Sequence, residues 1–159
     1  MNRLPTTDSA PSAAPDRLLE APLAAEIEFL TARARALGSA KANALLQPLD
    51  LRVRSYAVLS LACSGAAPSQ RELAEFLLLD PGQIVALLDG LEQRGLVKRE
   101  TDPQDRRSKV IRGTAKGRSL LAEAAVATAQ AEEQSLADLT SAERDQLREL
   151  LRRVAFQGR

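Results

Sequence analysis

The sequence predicts a mainly α-helical chain that carries one short β-hairpin. Apolar residues recur at three- and four-residue steps over most of the chain, the spacing of a single buried helix stripe. Ser, Thr or Asp stands just ahead of several of those stripes, where helix caps belong. Only between residues 96 and 112 does the pattern change, to two short strand-type runs around a turn-rich segment.

Each element follows from its own residues. Residues 1–16 are rich in Pro, Ser, Thr and Ala without periodicity, which predicts a disordered tail. From there to residue 48 the stripe Leu23, Ile27, Leu30, Ala34 and Leu37 predicts a long helix, closed by Pro48. Asp50 is the expected cap of a second helix carrying Val53, Ala57, Val58 and Leu61, which stops at Ser64-Gly65. Ser69-Gln70-Arg71-Glu72 has the form of a capping box and opens a short helix with Leu73, Phe76 and Leu77 inward. Asp80-Pro81-Gly82-Gln83 combines an N-cap, a first-turn proline and a glutamine able to reach back. Ile84, Leu87, Leu88 and Leu91 complete that helix's stripe, and Gly95 ends it. Two helices joined by so short a turn form a helix-turn-helix. Leu96–Arg99 and Lys109–Arg112 then predict strands flanking the charged segment Thr101–Ser108, which cannot bury itself and must project. A hairpin in that place makes a winged helix. Thr114 caps an Ala-rich helix through Leu120, Leu121, Ala124 and Ala125. Thr140-Ser141-Ala142-Glu143 is a second capping box, opening a last helix with Leu147, Leu150, Leu151 and Val154 on one stripe. The expected divisions are thus 1–16, 17–48, a winged core at 49–113, and C-terminal helices at 114–159.

Composition narrows the function. With 159 residues, 45% apolar and 27% charged, the chain fits one globular domain. Aromatics supply only 3%, so the core must be aliphatic. No apolar run approaches the roughly 20 residues of a membrane-spanning helix. Residues 1–15 hold no signal-type stretch, so a cytoplasmic protein without a membrane partner is expected. The absence of histidine removes Ser-His and Cys-His nucleophile pairs and imidazole metal ligands, and one cysteine makes no zinc cluster or internal disulfide. No phosphate-binding glycine loop is present. No enzyme, metal or cofactor is therefore expected. The net charge of +1 hides an uneven spread. Residues 92–118 hold nine basic and four acidic residues, a local +5, against thirteen and seventeen elsewhere, or −4. A basic segment on an otherwise acidic chain is either a solvated loop or a polyanion-binding face.

The element order resembles that of the MarR (multiple antibiotic resistance regulator) family over roughly residues 20–156. The residues carrying the likeness are Leu91-Glu92-Gln93-Arg94-Gly95-Leu96-Val97 and Asp102-Pro103-Gln104-Asp105-Arg106-Arg107. The resemblance implies a homodimeric transcriptional regulator, usually a repressor, that binds a pseudo-palindromic operator and releases it on meeting a small molecule or oxidant. It also implies that the long N- and C-terminal helices are dimerisation helices, with wings at the outer edges. Two departures stand out. The recognition helix exposes Gly82, Gln83, Val85 and Ala86 where Ser, Thr and Arg are common, which leaves Gln83 for adenine and Val85 for a thymine methyl. Gly113 stands where an apolar residue is usual, which predicts a flexible junction between wing and helix.

Individual residues carry two readings each. Arg106 and Arg107 are either solvated or placed for DNA, and the resemblance favours Arg106 in a narrow minor groove with Asp105 orienting the tip by a salt bridge. Lys98, Arg99 and Lys109 are expected on phosphates. Ser69 is a cap first and a phosphate contact second. Gln83 is divided between a base contact and a cap, and Ala86 lies on the same exposed face. Cys63 reads as a buried apolar residue. For a small anionic or phenolic effector the candidates are Arg33, Arg52 and Tyr56, together with Arg35 and Arg54, against the alternative of ordinary surface residues. The Leu147–Val154 stripe has little to cover it but a twin chain. The competing function is a winged-helix protein-interaction module with weak, non-specific DNA binding.

Overall fold

The computed structural model describes residues 16–103 and 105–157. They fall into two compact units, Met1–Ala36 and Leu37–Arg159. The expected tail lies outside the described residues except for Asp16, which begins a 3-10 turn, Asp16–Leu18. A second such turn, Pro22–Ala25, precedes helix α1 (Ile27–Leu46). The long helix therefore starts at Ile27 rather than Leu23, because Pro22 opens a tight turn and Glu26 is extended (φ −74°, ψ 128°).

In the second unit, α1 ends at Leu46 and the turn Gln47–Leu49 contains Pro48. Asp50 does not cap the next helix. It sits in the left-handed region (φ 50°) at the end of that turn, a conformation a short polar residue tolerates. The first N–H of α2 (Val53–Cys63) donates instead to Asn43 Oδ1 of α1 at 2.9 Å. Ser55 Oγ accepts from the Arg52 N–H at 2.9 Å.

The helix-turn-helix follows as α3 (Gln70–Leu77) and α4 (Pro81–Gln93). Ser69 Oγ accepts the Glu72 N–H at 3.2 Å while Glu72 Oε2 accepts the Ser69 N–H at 2.7 Å, a closed capping box. Asp80 caps α4 by accepting the Gly82 N–H at 2.8 Å. Between them Leu78 holds φ 52° with its side chain 90% exposed. Gly95, at φ 69°, closes α4. Its N–H donates to the Glu92 carbonyl at 2.8 Å and the Leu96 N–H to the Leu91 carbonyl at 2.9 Å. That pair of bonds is a Schellman motif, whose left-handed residue favours glycine. Arg94, beside it, donates to the carbonyls of Asp50 (2.5 Å) and Leu49 (3.0 Å).

Strands β1 (Val97–Thr101) and β2 (Lys109–Gly113) pair antiparallel with Val97 opposite Gly113 and Thr101 opposite Lys109. The Ile111 N–H also donates to the Pro68 carbonyl at 2.8 Å, which docks the wing beside the start of α3. Thr114 caps α5 (Ala115–Ser135) and Thr140, with Glu143, caps α6 (Ser141–Ala155). At the end of α6 the Phe156 ring lies 5.9 Å from Phe76 of α3.

The core is aliphatic, as the composition demands. Leu46, Leu51, Val58, Leu59, Leu73, Ile84, Leu88, Leu91, Leu96, Val97, Ile111 and Ala124 form one buried cluster. No charged or polar residue is buried among the described residues. In α6, by contrast, nothing is buried, and Leu150, Leu151 and Val154 are exposed in the single chain.

Gly113 is not a loose joint. It is buried in β2, its carbonyl accepts from Arg118 Nη1 at 2.8 Å, and the following Thr114 N–H donates to the Leu96 carbonyl at 3.0 Å. A Cβ there would lie 2.1 Å from Cys63 Sγ and 3.2 Å from Cys63 Cα, so the strand can approach α2 only as glycine. Gly113→Ala is expected to cost about 1–3 kcal/mol by overpacking. The loss should shrink when Cys63→Ala is added. Equal losses in both backgrounds, measured by chemical denaturation, would refute this contact as the cause.

Candidate nucleic-acid interface

The wing is a charged lattice before it is a binding surface. Glu100 on β1 receives Lys98 along its own strand and Arg112 Nε across the sheet at 3.2 Å. Arg99, on the alternate face, turns back to α4. Its guanidinium pairs with Glu92 and, at 2.6 Å, with Asp89, and its backbone N–H donates to Glu92 Oε1 at 3.1 Å. Burial opposes the Arg99 charge, but the hydrogen bonds it donates to Asp89 and Glu92, with their negative charges, outweigh it and raise its pKa above the ordinary value. Arg99, expected on phosphate, is thus placed as the tie between wing and recognition helix. Lys109 Nζ donates to Thr101 Oγ1 at 3.0 Å, a neutral partner that leaves its charge uncompensated.

At the tip, Asp105 acts as an Asx-type turn residue. Its carboxylate accepts the Arg107 N–H at 3.0 Å and the Ser108 hydroxyl at 2.9 Å, and the Ser108 N–H donates to the Asp105 carbonyl at 2.9 Å. The expected salt bridge from Asp105 to an arginine is replaced by these local bonds, since both donors stand within three residues of the carboxylate. Among the described residues neither Arg106 nor Arg107 has an ion-pair partner, and both are exposed. Two uncompensated guanidinium groups on a braced hairpin suit insertion beside a polyanion.

The helix-turn-helix offers fewer contacts. The Ser69 hydroxyl donates a hydrogen bond to Glu72 Oε2 at 2.7 Å, which commits it to the cap. Hydrogen bonds from the Ser69 backbone and hydroxyl hold the Glu72 carboxyl below the usual carboxylate range, which keeps a negative charge at that helix start. On α4, Gln83, Val85 and Ala86 are exposed, as expected. Gln83 does not reach back to cap its helix; its Oε1 accepts from Arg54 Nη1 of α2 at 3.2 Å. Sequence reasoning set Arg54 beside the effector candidates and missed its pairing with Gln83, as it missed the clamp of Asp89 and Glu92 on Arg99, because both pairings join residues on different elements.

The effector candidates belong to both units. Arg33 belongs to the first unit, on the exposed surface of α1. Arg52 is exposed at the start of α2, and Tyr56 packs half-buried against the core with its hydroxyl 3.3 Å from Thr128 Oγ1 of α5. Cys63 is half-buried; burial raises its thiol pKa and the nearby Arg118 offsets only part of that, so it stays protonated at neutral pH. Among the described residues no cluster of acidic or sulfur ligands could hold a metal, and no helix is long and apolar enough to cross a membrane.

Comparison with known proteins locates the same region. The MarR family profile matches residues 54–109, from α2 through the wing. The transcriptional regulator HosA of Escherichia coli O111:H- is 30% identical over 105 residues, which are 66% of this chain and 78% of that protein. A MarR-family transcriptional regulator from Rhodococcus sp. RHA1 superposes with a TM-score of 0.81 at 40% identity, covering 86% of this chain and 96% of that one. CouR from Rhodococcus jostii RHA1, solved with p-coumaroyl-CoA bound, gives 0.79 at 40% identity, again over 86% of this chain and 96% of that one.

The Asp105 turn makes a measurable prediction. Hydrogen bonds from the Arg107 backbone and Ser108 hold its carboxyl below the ordinary aspartate value, so the turn favours the ionised form. Amide-exchange protection at Arg107 should be full above that ordinary value and vanish as pH falls through the lowered one. Asp105→Ala should abolish it at neutral pH without shifting the global unfolding midpoint. Unchanged protection in the variant would overturn this role.

Proposed function

Because the chain belongs to the MarR family of transcriptional regulators, we propose that it acts as a homodimeric repressor on a pseudo-palindromic DNA site. The observation that carries the reading is the pair of uncompensated arginines, Arg106 and Arg107, on a wing locked to its recognition helix. Arg106 enters the minor groove, Arg107 and Lys109 lie along the backbone, and Gln83, Val85 and Ala86 face the major groove. Lys98 contributes only by leaving Glu100. Ser69 and Arg99 hold the frame.

Two copies are needed because the Leu150, Leu151 and Val154 face of α6 is uncovered in one chain. Burying such a stripe against its own copy is the usual resolution in a symmetric dimer. Release follows binding of a small effector with phenolic and anionic groups. The p-coumaroyl-CoA held by the Rhodococcus jostii relative is a ligand of that kind. Arg33, Arg52 and Tyr56 are the residues proposed to meet it, and the cytoplasm is the proposed location. The sparse α4 surface favours a second reading, a protein-interaction module that holds DNA without preference.

Arg106→Ala should lower operator affinity at least about tenfold in a gel-shift assay, as expected for loss of a minor-groove guanidinium, while sedimentation still reports a dimer. Unchanged affinity would remove Arg106 from the interface. For the intact protein, log affinity should fall linearly with log salt, with a slope of several units, because each phosphate contact releases counterions. Equal binding to operator and scrambled duplex would select the second reading.

A further inference from the structure

The first turns of α4 expose Gly82, Gln83, Val85 and Ala86, and of these only Gln83 has hydrogen-bonding side-chain atoms. Its amide is already engaged on one side, where Oε1 accepts from Arg54 Nη1 at 3.2 Å. The backbones that carry the pair are fixed to each other, since Val58 and Leu59 of α2 pack in the same core as Ile84 and Leu88 of α4. Both side chains are exposed, and among the described residues no carboxylate pairs with Arg54.

We infer that Arg54 is a positioning residue that sets base preference: by holding the Gln83 oxygen it turns the amide nitrogen outward, so the pair presents donors alone and selects guanine. This rests on the DNA-binding reading above. A glutamine free to rotate reads adenine by donating to N7 and accepting from the N6 amino group. Arg54 takes one of the two lone pairs of Gln83 Oε1 and keeps that oxygen turned toward its own guanidinium, away from an adenine N6 amino group. What remains is the Gln83 NH2 and the other N–H groups of Arg54. Guanine, with N7 and O6 side by side, is the base whose major-groove edge offers two acceptors to such a surface. The adenine preference expected from Gln83 alone is thereby reversed.

Selection from a random duplex library should be run in parallel with the intact protein, Arg54→Met and Gln83→Ala, with folding of each checked by circular dichroism. The intact protein is expected to enrich an inverted repeat with guanine at one position of each half-site. Arg54→Met should keep the rest of the repeat but lose its guanine-over-adenine preference there by at least about fivefold. Gln83→Ala should lose preference at the same position. Uniform weakening by Arg54→Met, with every base preference intact, would make Arg54 a phosphate contact and overturn the inference while the regulator reading stands. Adenine at that position in the intact protein would do the same. No enrichment by the intact protein would bring down both.

Discussion

The backbone of Leu96 is where the second unit is tied together. Its side chain is buried, its N–H closes α4 onto Leu91, and its carbonyl accepts from the Thr114 N–H at 3.0 Å. Gly117 of α5 lies so close that a Cβ would stand 2.0 Å from the same carbonyl. One residue therefore ends the recognition helix, begins the wing and seats the first turn of α5. Nothing larger than glycine at 117 permits that approach, and the left-handed glycine at 95 turns the chain into it. The position of the hairpin relative to α4 follows from this junction, with the Arg99 clamp securing the middle of β1.

Charge on this protein is arranged so that most of it is already spent. The basic segment owes its +5 to nine cations, yet Lys98, Arg99 and Arg112 are held by Glu100, Asp89 and Glu92. Arg94 and Lys116 are turned to backbone carbonyls. Exposed pairs of this sort add little to stability, but they decide which cations stay available. With Arg118 likewise turned to the Gly113 carbonyl, that leaves Lys109 and the outermost arginines of the hairpin, so local charge density and useful charge differ, and only the three-dimensional pairing separates them.

How much could be seen in advance follows the range of the interaction. Ser69 with Glu72, Thr140 with Glu143, Asp80 with Gly82 and the glycine stop at 95 all act within a few residues, and each stands where its spacing placed it. Asp50 misled because the real cap of α2 comes from Asn43, ten residues away on another helix. Leu78 gave no signal, since an apolar residue in a left-handed turn contradicts its own preference. Gly113 pointed to looseness, whereas its role is proximity to Cys63, fifty residues earlier in the chain. In the candidate interface, the hairpin was legible from turn chemistry, and its tip arginines were singled out by the family resemblance. The partners of Arg99 and Gln83 were not, because they are chosen by packing.

The chain has one tyrosine and no tryptophan. That phenol stands at the seam between α2 and α5, its hydroxyl touching Thr128. With no indole to collect its excitation, the protein's tyrosine emission comes from a single place. The molecule thus carries a built-in optical probe of the joint between its reading head and its long C-terminal helix, with no label required.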